Sequence, residues 1–111
     1  MADETQELLK GTLDMLILQA LEREPMHGWG IAERIETLSR DVFRLQTGTV
    51  YPALHRLLRK GWIAAGWRTT EHSRQARYYQ LTASGRRQLE AERAAWKRAS
   101  GAVNRILDAL S

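Results

Sequence analysis

Apolar positions along the chain change their spacing from one stretch to the next. Between Leu8 and about Arg23, "LLKGTLDMLILQALER" sets Leu9, Leu13, Leu16, Ile17, Ala20 and Leu21 at helical intervals. The stripe is broad enough in its middle to predict burial on most sides. "EPMHGWG" follows, and one proline with two glycines in seven residues predicts a turn. "WGIAERIETLS" then places Ile31, Ile35 and Leu38 on one face, a shorter second amphipathic helix, and "RDVFRLQ" is read as a short extended connection. In "TGTVYPALHRLLRKGW", Leu54, Leu57 and Leu58 mark one face of a third helix, with Arg56, Arg59 and Lys60 filling much of the rest. Proline inside a helix costs about 3 kcal/mol but is tolerated in the first turn. Pro52 is therefore expected near the helix start, capped by Thr47 or Thr49.

Past Gly61, a natural helix terminator, the pattern shortens. "WIAAGWRTT" and "ARYYQLT" are rich in aromatic, β-branched and threonine residues around the polar "EHSRQ", which predicts a β-hairpin. Thr82 or Ser84 can cap a final helix from about Ala83 to Leu110. Along it Leu89, Trp96, Val103 and Leu110 lie seven apart, with Ala99 and Ile106 between them. That repeat describes a coiled-coil-like seam, broken by Glu92 at one inner position.

The order is helix, helix, basic helix, hairpin, long helix. It predicts a mainly α fold with a small β-hairpin: a winged helix-turn-helix over residues 1–82, followed by a C-terminal helix over 83–111. In this arrangement two helices brace the third, whose N-terminal half can enter a major groove about 12 Å wide.

Composition narrows the chemistry. With 111 residues the chain is one domain's worth, and its 43% hydrophobic and 27% charged content is ordinary for a globular protein. The absence of cysteine excludes disulfides and thiolate metal sites. The acidic start, "MADETQELLK", is unlike a secretory signal, and the longest apolar run, "MLIL", is too short to span a bilayer. A soluble, cytoplasmic protein is expected, with no membrane partner. His27, His55 and His72 are scattered, without metal-ligand spacing or a paired nucleophile and base, so neither catalysis nor a metal or other cofactor is expected.

Charge is unevenly spread. Residues 1–40 carry four basic against eight acidic side chains, residues 41–82 seven against two, and residues 83–111 six against three. A positive middle segment suits a polyanion, although a solvated basic face gives the same count. Thr47, Thr49, Tyr51 and His55, early in the third helix, are the candidates for groove and phosphate contact. The threonines also suit caps, and Tyr51 also suits the core. Arg56, Arg59 and Lys60 suit either phosphates or the helix dipole. Arg68, Arg74 and Arg77 belong to the wing, where an arginine makes charge-assisted contacts to phosphate. Tyr78 and Tyr79 point to opposite faces, so one belongs to the core. Trp96, with Leu89, Ala99, Val103, Ile106 and Leu110, marks a candidate interface where paired indoles either sandwich a planar compound or simply anchor the contact. Trp29, Trp62 and Trp67 are assigned to the core or the base of the wing.

"LLKGTLDMLILQAL", "HGWGIAERI", "GTVYPALHRLLRKGWI" and "RYYQLTASGRRQL" together resemble the PadR family of bacterial transcriptional regulators, in its short branch with a single C-terminal helix. The likeness runs from about Leu8 to Leu110, and the pairing of "GTVYPALHRL" with "RYYQLT" is its most specific part. It implies a homodimer on a roughly palindromic double-stranded DNA operator, usually repressing, with C-terminal helices packed across the dimer. It also implies that a small aromatic or flat hydrophobic effector can release the DNA, and that the position of Tyr51 belongs to the DNA face. The basic residue before "YY" matches Arg77. The rival expectation is a winged-helix module that binds a protein partner instead of DNA.

Overall fold

The computed structural model describes residues 4–69 and 71–111. The chain runs α1 (Glu4–Ala20), β1 (Met26–His27), α2 (Gly28–Leu38), α3 (Thr47–Arg59), β2 (Ile63–Thr69), β3 (Gln75–Leu81) and α4 (Ala83–Ala109). The strands form one antiparallel sheet in the order β1-β3-β2. The hairpin register pairs Ile63 with Leu81 and Thr69 with Gln75, and β1 adds Met26 opposite Tyr79 and His27 opposite Tyr78.

The core gathers most of the predicted stripes, although Leu38, expected on one face with Ile31 and Ile35, is 77% exposed at the end of α2. Leu9, Leu13, Ile17, Leu18 and Leu21 from α1 and its end meet Ile31 and Ile35 from α2. Val50, Ala53, Leu54 and Leu57 join from α3, closed by Ile63, Tyr79 and Leu89 from the wing and α4. The core therefore continues across the 82/83 boundary into the start of α4. Gly61 ends α3 in a left-handed conformation (φ 74°) that costs glycine little. At Gly85 the first turn of α4 presses on the chain entering β2, and a Cβ there would stand 1.9 Å from the Trp62 carbonyl oxygen. Thr82 caps α4, its Oγ1 accepting from the Gly85 N–H at 3.0 Å.

Four local expectations are corrected. The "EPMHGWG" stretch contains strand β1, too short to show any alternation of its own. "RDVFRLQ" opens in a turn and becomes extended only at its end, at Gln46. Arg40 and Asp41 adopt positive φ (54° and 64°), and the Asp41 N–H donates to the Glu36 carbonyl at 2.9 Å. Pro52 sits in the second turn of α3, past the tolerated first turn. Neither Thr47 nor Thr49 caps that helix. Gln46 is the N-cap, without a side-chain hydrogen bond, and its carbonyl oxygen accepts from the Thr49 and Val50 N–H groups at 2.9 and 3.1 Å.

Candidate nucleic-acid interface

α3 is two-faced along its whole length. Val50, Ala53, Leu54 and Leu57, spaced i, i+3, i+4 and i+7, are buried, which leaves Thr47, Gly48, Thr49, Tyr51, Pro52 and His55 outward. Four of the predicted contact residues, Thr47, Thr49, Tyr51 and His55, thus share the exposed side of one helix. Both threonines are exposed, and neither caps the helix. Tyr51 is 39% exposed, with its ring lying over Gly28 at the start of α2. A small cavity of about 130 Å³ lies beside it, lined by Trp29, Glu33, Glu36 and Thr47 among others.

The basic residues divide into three groups. Arg56 is paired with Asp14 of α1 (Nη2 to Oδ1, 2.5 Å) and keeps 42% of its side chain exposed. Lys60, at the C-cap of α3, lies over the Trp62 ring, 4.6 Å from its centroid. The wing carries the rest. Arg74 precedes β3 at the exposed tip, Arg68 stands over the Tyr78 ring (5.3 Å), and Arg77 stands over the Tyr79 ring (5.8 Å). Aromatic faces of this kind hold a guanidinium in place while leaving its N–H donors outward. Tyr79 is the core tyrosine of the pair. Burial raises its phenol above the ordinary value, opposed by Arg77 and reinforced by Tyr51.

Two aromatics assigned to the core or the wing base prove exposed. Trp29 and Trp67 are 66% and 69% exposed, on the first turn of α2 and on β2. The residue that joins α2 to the wing is His27, which sequence reasoning did not single out. Its Nδ1 accepts from the Gly30 N–H at 2.9 Å and caps α2. Its ring stacks on Trp29 at 6.0 Å and meets Tyr78 edge-on at 5.6 Å. The available signal was a polar residue two places after the proline and directly before a helix, although histidine is not among the favoured caps.

On α4, Leu89 is 1% exposed and belongs to its own subunit's core, which corrects its placement on an intersubunit seam. Trp96 (47%), Val103, Ile106 and Leu110 remain exposed on the same side of the helix, together with Ala99.

A three-helix core, a two-stranded wing extended by a short third strand and a long trailing helix define a winged helix-turn-helix regulator. The description "Transcriptional regulator PadR-like family" matches residues 17–91, and the chain belongs to that family. A transcriptional regulator of Mycobacterium tuberculosis is 31% identical over 90 residues, covering 81% of this chain and 80% of its own. A PadR family regulator from Eggerthella lenta is 33% identical with a TM-score of 0.76, covering 91% of this chain and 86% of that one. A PadR-like regulator from Bacillus cereus is 27% identical with a TM-score of 0.81, covering 91% and 96%. Among the described residues no helix is long and apolar enough to cross a membrane.

Proposed function

We propose that the chain is a cytoplasmic, homodimeric, sequence-specific DNA-binding repressor. The observation that carries this reading is the two-faced α3, which buries its apolar residues and turns Thr47, Thr49, Tyr51 and His55 outward, beside a wing bearing Arg68, Arg74 and Arg77. Residues 1–82 supply the reading unit and residues 83–111 the dimerisation helix. A two-fold dimer built on the exposed apolar side of α4 sets two α3 helices about 34–36 Å apart, one DNA turn. A protein clamped over that span of a promoter blocks transcription.

On the same face, Trp96 is the group able to stack a planar aromatic effector. An effector wedged between the α4 helices changes the spacing of the α3 helices and so weakens DNA binding. Fluorescence anisotropy with the duplex upstream of the protein's own gene and with its shuffled counterpart tests the reading. Tight binding to the first and weak binding to the second is expected. Equally weak binding to both contradicts the reading and favours a protein-interaction module. In the same cuvette, quenching of tryptophan fluorescence by a planar aromatic compound, lost in Trp96→Ala, is the expected effector signature. Quenching retained in the variant places the effector elsewhere.

A further inference from the structure

The hairpin has two faces, and its register sorts the wing residues between them. Directly opposite residues of an antiparallel pair put their side chains on one face, and so do residues two apart along a strand. Trp67 lies opposite Arg77, Ala65 opposite Tyr79 and Ile63 opposite Leu81. These six residues therefore share one face. Arg68, Gly66 and Tyr78 belong to the other, where His27 meets Tyr78.

Burial along the first face changes abruptly. Ile63 and Tyr79 are 2% and 4% exposed and belong to the core, whereas Trp67 is 69% exposed. α3 packs against β2, so this is the face that the body of the domain covers, and Trp67 is where the cover ends. Arg77 stands over the Tyr79 ring at 5.8 Å, which fixes a guanidinium in the position next to the exposed indole. From there Trp67 adds little to the core, and its apolar surface is open to a partner. The hairpin also indicates the partner's charge. Between Ile63 and Leu81 it carries Arg68, Arg74 and Arg77 against a single acidic residue, Glu71. That balance suits a polyanion.

We propose that Trp67 is a DNA-contacting residue of the wing, laying its indole against the deoxyribose next to the phosphate that Arg77 holds. The proposal rests on the reading of the wing as a DNA contact. A deoxyribose offers an apolar C–H surface to the ring, and the indole N–H is a donor for a phosphate oxygen. Sugar and phosphate are the same at every base pair, so the contact adds affinity without sequence preference. The indole carries no charge and releases no counterion. Unlike the arginines, it leaves the salt dependence of binding unchanged.

The test uses the full chain as wild type, Trp67→Ala and Trp67→Phe. Fluorescence anisotropy is measured on the protein's own upstream duplex and on its shuffled counterpart across a salt series. Trp67→Ala is expected to bind both duplexes about 10–100-fold more weakly, the cost of truncating an aromatic anchor in each of two subunits, with the wild-type salt slope. Trp67→Phe is expected to fall between the two. Because the ring is exposed in the free protein, both variants should melt and sediment as wild type does. Tryptophan emission gives a second readout: DNA should change it in wild type, and Trp67→Phe should remove most of that change. Trp67→Ala affinities equal to wild type, or a loss that flattens the salt slope, overturn the contact while leaving DNA binding intact. An emission change retained in full by Trp67→Phe does the same, as does a weak-binding variant that has changed its oligomeric state. Wild-type protein that binds no duplex overturns the DNA reading itself, and this contact with it.

Discussion

If the chain is the proposed homodimer, Val103→Asp with Ile106→Asp is expected to convert it to a monomer and to lower affinity for its DNA by about 10²–10⁴-fold, the range gained when two binding modules are linked. Val103 and Ile106 are 53% and 58% exposed in the isolated subunit, so aspartates there disturb nothing in its own core. In a dimer the same positions lie on the apolar side of α4 with Trp96 and Leu110. Burying four carboxylates in such a seam costs several kcal/mol. Far-UV circular dichroism should be unchanged while sedimentation reports one subunit. A double variant that remains dimeric removes this face of α4 as the seam.

Much of the fold was legible because its elements are long and regular. The stripe from Leu9 to Leu21, the face Leu54–Leu57–Leu58, the hairpin and the Thr82 cap each follow from local spacing or side-chain chemistry. What escaped was decided by distant partners. β1 has two residues and exists because β3 offers an edge opposite Met26 and His27. Leu89 fits the heptad seam as well as the core, and only the packing of α1 against the start of α4 decides for the core. The ion pair of Arg56 with Asp14 joins groups 42 positions apart in sequence, which no local pattern announces. Trp29 and Trp67 read as core because tryptophan usually buries much of its surface, whereas these two lie on the outside of α2 and the wing. The outward face of α3 was readable as a consequence of its inward one. Pro52 was misplaced by a turn because the true cap, Gln46, lacks a capping hydrogen bond.

The proposed contact of the wing arginines with phosphate has a quantitative consequence. Arg74 sits at the exposed tip and Arg77 is set over Tyr79, so removing both leaves the core and the exposed face of α3 in place. Each phosphate neutralised by a protein cation contributes about 0.9 to the slope of log affinity against log salt. Four arginines in a dimer therefore account for up to about 3.6 units of slope. Each charge-assisted contact contributes about 1.5–3 kcal/mol, so if all four arginines of the dimer hold phosphate the double variant should lose at least about 10⁴-fold in affinity. Because phosphates carry no sequence, that loss should be equal on the protein's own upstream duplex and on a shuffled one.

The decisive measurement is fluorescence anisotropy of wild type and Arg74→Ala/Arg77→Ala on both duplexes across a salt series. A steep wild-type slope, flattened in the variant, with selectivity between the duplexes preserved, is the predicted result. A variant whose slope matches wild type would contradict the assignment of the wing to phosphate, and with it the interface described for this protein.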